Sequence, residues 1–180
     1  MSALNQSIFT FIHHFAGRNI FLDDLGIFSA QYLPYLLVIA FFVLVWREES
    51  WRKKLYVFCE GTIAVILARG IVTEVIRFFY HSVRPFAFYN FTPLISESGW
   101  SFPSGHMTWF FALSLAVWYA NHKWGTWFLV LSTLIGIARI FAGVHWPTDI
   151  IGGAVIGLLA AWSVHWLLRN QRRALYGTAR

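Results

Sequence analysis

Five long apolar runs dominate this sequence, at about residues 27–46, 55–80, 104–120, 124–141 and 147–168, and mostly short polar connections part them. A bilayer core takes about 20 apolar residues in one helix. Within hydrocarbon, every backbone N–H and C=O must be paired inside the protein. A chain patterned this way is therefore expected to fold as an all-α, polytopic membrane helix bundle. Composition agrees, with 58% hydrophobic and only 12% charged residues and a mean hydropathy of +0.57. At 180 residues it reads as one domain: residues 1–26 an interfacial segment, 27–168 a bundle of about five transmembrane helices, and 169–180 a basic tail.

Ahead of the first run, Leu4, Ile8, Phe11, Ile12 and Phe15 recur at helical spacing, with His13 and His14 largely off that face. This amphipathic pattern suits a helix lying in the interface. Gly17-Arg18-Asn19 breaks it, and a second short amphipathic piece, residues 20–28 with Asp23 and Asp24, is expected to follow. Pro34 is expected to kink the first span. The single cysteine, Cys59, falls in an apolar run and reads as packing. Cys and His show no zinc spacing, and residues 1–6 lack the basic start of a cleavable signal.

The net charge of +6 sits between apolar runs rather than in one stripe, which argues against a nucleic-acid partner. It reads as a topology signal instead. Arg47, Arg52, Lys53, Lys54, Lys123, Arg169, Arg172 and Arg173 fall in connections that five spans place on one side. The positive-inside rule makes that side cytoplasmic. The N-terminus, the segment 81–102 and the turn 141–147 then share the outer side.

Topology thus gathers three stretches rich in charged groups. One contains Arg77, His81 and Arg84; the second is Pro103-Ser104-Gly105-His106; the third carries Arg139, His145 and Asp149. Ionisable groups at membrane depth are functional candidates by default. Two spans begin here, at Ser104 and Pro147, and helix starts offer free N–H groups and positive dipole ends to a phosphate. Ser104 is a good N-cap type, Gly105 allows close approach to the backbone, and guanidinium forks suit phosphoryl oxygens. His145 and Asp149 are four apart, so their side chains can meet in a regular first turn. Asp149 would fix the imidazole tautomer and leave the other nitrogen free to attack phosphorus. His106 could protonate a leaving oxygen and later activate water. This arrangement requires no metal and no cofactor.

The pattern Arg77-(six residues)-Arg84-Pro85, then Pro103-Ser104-Gly105-His106, then Arg139-(five residues)-His145-(three residues)-Asp149 resembles the three-part signature of the type-2 phosphatidic acid phosphatase superfamily. The resemblance implies a membrane-embedded, metal-independent lipid phosphatase. It makes His145 the nucleophile that becomes phosphorylated, Asp149 its partner and His106 the general acid. Arg77, Arg84, Ser104, Gly105 and Arg139 would hold the phosphate, with His81 and Glu74 as candidate accessory residues. Two departures stand out: Arg77 replaces the usual lysine, and Ala138 stands where the family usually has serine.

Within the superfamily the chain is similar to bacterial undecaprenyl-diphosphate phosphatases of the bacitracin-resistance type. These recycle the cell-wall lipid carrier at the outer leaflet of the cytoplasmic membrane. A phosphatidylglycerophosphate or phosphatidic acid phosphatase is the close alternative, so the expected partners are the bilayer and a polyprenyl or glycerophospholipid phosphate. A small transporter with buried ion pairs, or a metal hydrolase using His106, His145 and Asp149, also fits the residues. Arg69 and Glu74 are expected to pair inside the bundle, and Glu97 to be a solvated loop charge. Gly152, Gly153 and Gly157 read as close helix packing. The sequence leaves the oligomeric state open.

Overall fold

The computed structural model describes residues 2–176, and the last residues of the basic tail, 177–180, lie outside them. Seven helices build the described part: α1 (Ala3–His13), α2 (Ile20–Trp46), α3 (Trp51–Phe79), α4 (Pro85–Tyr89), α5 (Gly105–Ala120), α6 (His122–Phe141) and α7 (Pro147–Tyr176). No strand occurs among those residues.

Local chemistry sets the ends. The Ser2 hydroxyl accepts the Asn5 N–H at the start of α1. Gly17 takes φ 74° in the turn that follows, and the Asn19 side chain accepts the N–H groups of Phe21 and Leu22 at 2.9 and 3.3 Å. From that cap α2 runs unbroken to Trp46. The expected separate piece over residues 20–28 is therefore the first part of the first span. Asp23 sits in its first turn, where a carboxylate complements the helix dipole. Similarly, the last helix does not stop near residue 168 but continues through Arg169, Arg172 and Arg173.

Two of the long helices each include a π-helical segment. In α2, Phe28–Tyr32 precedes Pro34, which has no N–H to return to the Ala30 carbonyl one turn back. Arg139 Nη1 donates to that carbonyl at 3.3 Å. In α3 the segment is Ile66–Val72, and Thr73 Oγ1 donates to the Ala68 carbonyl at 2.8 Å. Such widened turns recur at functional sites.

Among the described residues, α2, α3, α6 and α7 are long and apolar enough to cross a membrane. The fifth expected span, α5, has 16 residues, or about 24 Å at the helical rise. It is the central helix, buried at Met107, Thr108, Phe110, Ala112, Leu113 and Val117 and packed against α7, α6, α3 and α2. Its approach to α7 depends on glycine. A Cβ on Gly153 would stand 2.7 Å from the Ser104 carbonyl oxygen, and one on Gly157 2.6 Å from that of Thr108. Gly152 faces the Phe102 ring instead. The outer surface is apolar, with Ile20, Trp46, Phe79 and Leu167 exposed, as expected of helices facing lipid.

The loop 80–104 and the α6–α7 turn come together at one end of the bundle, and α1 braces that end. Phe9 packs on Trp146 with ring centroids 5.0 Å apart. Asn5 Oδ1 accepts the Thr148 N–H at 3.1 Å, and His13 Nδ1 donates to the Phe141 carbonyl at 2.8 Å.

Candidate active site

The two helix starts are joined directly: the Ser104 N–H donates to the Asp149 carbonyl at 3.1 Å. Asp149 lies in the first turn of α7, where its Oδ2 accepts the Trp146 N–H at 2.8 Å. This is the return half of a capping box. The same oxygen accepts the Ser101 hydroxyl at 2.5 Å and lies 3.3 Å from His145 Nδ1. Asp149 and His145 are each 1% exposed. With Nδ1 donating to the carboxylate, Nε2 of His145 carries the lone pair, which faces Arg84. That nitrogen is the atom expected from the sequence to act as nucleophile.

Burial, with the Arg139 and Arg84 charges beside it, holds the His145 pKa well below 6.5. The ring is therefore held neutral, the form in which an imidazole nitrogen can attack. Arg84 Nη1 stands 3.3 Å from Nε2. The rest of its guanidinium is held by backbone: Nη1 donates to the Val144 carbonyl, Nε to that of Gly99, and Nη2 to those of Ser98 and Trp100, at 2.9–3.3 Å. Burial lowers the Arg84 pKa to about 10, which leaves it charged. Arg84 therefore offers a fixed charge at His145 Nε2 while tying the loop 98–100 to the α6–α7 turn.

Three groups expected to hold phosphate carry buried donor atoms with no hydrogen-bond partner: Arg77 Nε, Ser104 Oγ and Arg139 Nε. A buried polar atom without a partner costs about 1–3 kcal/mol, so three together mark a place built for an oxyanion. Ser104 is the residue before α5, yet its hydroxyl makes no cap bond. Arg77 Nη2 donates to the Pro103 carbonyl at 3.0 Å, and Arg139 Nη1 lies 3.4 Å from His106 Nε2. A cavity of about 590 Å³ opens here, lined by Arg69, Arg77, Glu97, Gly105, His106, Arg139 and His145 among others.

Some expectations need correction. His81 stacks on Trp100, with ring centroids 4.4 Å apart, and is exposed away from the cavity lining, because the loop turns its side chain outward. Glu74 pairs with Arg69 and lies 3.8 Å from Arg77, but it is about half exposed and does not line the cavity. Gly105 does line it, but the group against its Cα is Arg69: a Cβ there would stand 2.6 Å from Arg69 Nε. Glu97 is not a solvated loop charge. It lines the cavity, pairs with Arg139 and lies 3.7 Å from Arg84. Burial pushes its carboxyl up, and the two arginines more than offset that, so its pKa falls below 4.5.

Sequence reasoning missed Ser101, which orders the Asp149 carboxylate, and gave Arg69 no place in the site. Ser101 sits two residues before Pro103, and that proximity was its one signal.

The family model described as PAP2 superfamily matches residues 61–173. The bacitracin transport permease protein BcrC of Bacillus licheniformis is 33% identical over 167 residues, covering 92% of this chain and 81% of that protein. The undecaprenyl-diphosphatase BcrC of Bacillus subtilis is 30% identical, covering 87% and 80%. Among solved structures, Aquifex aeolicus LpxE superposes with a TM-score of 0.73 at 23% identity, covering 91% of this chain and 95% of that one.

Proposed function

The chain belongs to the PAP2 superfamily and is a multi-pass membrane lipid phosphatase, and on that premise we propose that it hydrolyses undecaprenyl diphosphate to undecaprenyl phosphate through a phosphohistidine at His145. The observation that carries this reading is the set of buried, unpartnered donors of Arg77, Ser104 and Arg139 beside a neutral, Asp149-oriented histidine. The similarity to an undecaprenyl-diphosphatase supplies the lipid.

In the first step Nε2 attacks the terminal phosphorus, the bond from phosphorus to the bridging oxygen breaks, and His106, which enters as imidazolium once the phosphate's negative charge is bound beside it, gives that oxygen a proton and becomes neutral. Asp149 stabilises the charge that develops on His145. In the second step His106 takes a proton from water, which attacks the phosphohistidine. The P–N bond breaks, inorganic phosphate leaves, and both imidazoles return to their starting state. Arg77 and Arg139 stabilise the equatorial oxygens through their unpartnered donors, and Arg84 adds its charge from its fixed place beside His145.

The mechanism is metal-independent. His145 is engaged with Asp149 and Arg84, and His106 with Arg139, so these groups converge with arginines rather than on a common ligand point. The site end faces outward in the cytoplasmic membrane, since the basic connections and tail mark the other end as cytoplasmic. The arginines, histidines and Asp149 of the site gather at that one end, and the part-buried Glu60–His165 pair stands apart from them beside Tyr119 instead of extending a route across the bundle, which favours hydrolysis over transport.

The test is phosphate release in detergent with excess chelator, with undecaprenyl diphosphate, phosphatidylglycerophosphate and phosphatidic acid offered in parallel. Preference for the prenyl diphosphate, lost in His145→Ala, is the expected result. Preference for a glycerophospholipid would reassign the substrate, and inhibition by chelator would overturn the metal-free mechanism.

A further inference from the structure

Arg69 is a costly residue to keep where it is. It lies in the middle of α3, in an otherwise apolar segment, and a charge at membrane depth persists only with a use or a partner. The fold takes two measures to hold it there. The π segment Ile66–Val72 widens the helix around it, and Gly105 leaves room for its Nε where any side chain would collide.

Its position is at a border. Arg69 lines the cavity that also holds Arg77, Glu97, His106, Arg139 and His145. It also lines a neighbouring apolar groove of about 270 Å³, walled by Phe41, Phe42, Phe58, Val65 and Leu113. Val38 and Trp109 are the other residues common to both. A lipid with its terminal phosphorus at His145 and its tail in this groove passes Arg69 at the joint between head and chain. In a prenyl diphosphate, the group at that joint is the second phosphate, which stays on the lipid.

We propose that Arg69 forms a second phosphate subsite, which binds the retained phosphate of a lipid diphosphate and makes the enzyme prefer diphosphates to monophosphates. This rests on the diphosphatase reading and adds the residue that enforces it. Glu74, paired with Arg69 from the exposed side, restrains the guanidinium and leaves its remaining donors for the ligand. Arg69 touches substrate but takes no part in bond making, so it is a specificity residue.

The experiment measures kcat/KM for farnesyl diphosphate and farnesyl monophosphate with the full-length protein in detergent, comparing wild type, Arg69→Gln and Arg69→Lys. Inhibition by methylenediphosphonate and by inorganic phosphate is measured alongside. Loss of one charge-assisted contact corresponds to about 10- to 100-fold. Arg69→Gln should lose that factor for the diphosphate and for methylenediphosphonate, and change less than about threefold for the monophosphate and inorganic phosphate. Arg69→Lys should recover part of it. Equal losses on all four ligands, or none on any, would overturn the subsite while leaving the diphosphatase reading intact. A wild type that turns over phosphatidylglycerophosphate but not farnesyl diphosphate would instead overturn the reading on which the subsite rests.

Discussion

Glu97 places a carboxylate on the arginines that the substrate phosphate needs, and the Glu97→Gln variant measures the cost. An anion on Arg139 Nε would share that guanidinium with Glu97, which pairs through Nη2, so the two negative groups would stand about 4 Å apart. Two unit charges at that distance interact by about 4 kcal/mol at an effective dielectric of 20. Glu97 is 26% exposed at its side chain and sits on a loop, so screening and movement should remove more than half of this. A net gain of about 1.4 kcal/mol or somewhat more remains, which is about tenfold in affinity. The assay is inhibition by inorganic phosphate and by orthovanadate at fixed ionic strength. Both constants should tighten about tenfold in Glu97→Gln, and the gain should shrink as salt is added. The same variant should unfold at lower temperature without phosphate, because Arg139 is 1% exposed and loses its counter-charge. Unchanged or weaker phosphate inhibition would refute the reasoning and make Glu97 a structural partner of Arg139.

Three further outcomes are expected. Asp149→Asn keeps an acceptor for the Trp146 N–H but removes the charge beside His145 Nδ1, so kcat should fall by about 10³–10⁴ with little change in KM. The His145 pKa lies well below 6.5, so protonating the nucleophile should not limit kcat/KM until the pH is far below that value. An acid limb centred at 6.5 and traceable to His145 would contradict its burial. Gly157→Ala drives a methyl into the α5 backbone at the Thr108 carbonyl, which should cost about 1–3 kcal/mol of stability, read as a lower unfolding temperature in detergent.

Much of this architecture could be read from residue order because the relevant signals are local. Asp149 and His145 are one helical turn apart, Ser104-Gly105-His106 sits at a helix start, and apolar runs announce spans. Glu97 and Ser101 were not legible, since their partners Arg139 and Asp149 lie more than 40 residues away and only the folded loop 80–104 joins them. Arg69 was hidden differently: a regular helix gives no reason to link it to Gly105, and the π segment that does so has no sequence signature. The continuity of the helix from Ile20 went unread because Asp23 and Asp24 suggested a separate piece, whereas carboxylates at a helix start are compatible with one long helix that begins there.

The shortness of α5 gives the enzyme a depth gauge. Its neighbours that cross the membrane have 20 to 29 residues, while α5 has 16 and covers about 24 Å of a hydrocarbon core about 30 Å thick. Exposed Asn121, His122 and Lys123 follow its far end and belong at the opposite interface, so Ser104 and His106 open below the surface on the site side, about 6 Å beneath the height at which a soluble phosphate ester would dock. Molecules are then sorted by how deep their phosphate can sink, before any headgroup is inspected, and an anchored lipid has the advantage over a dissolved metabolite. Reconstitution in bilayers of graded chain length would test this: turnover should fall as the bilayer thickens past the span of α5, and a rate indifferent to thickness would show that the gauge is not in use.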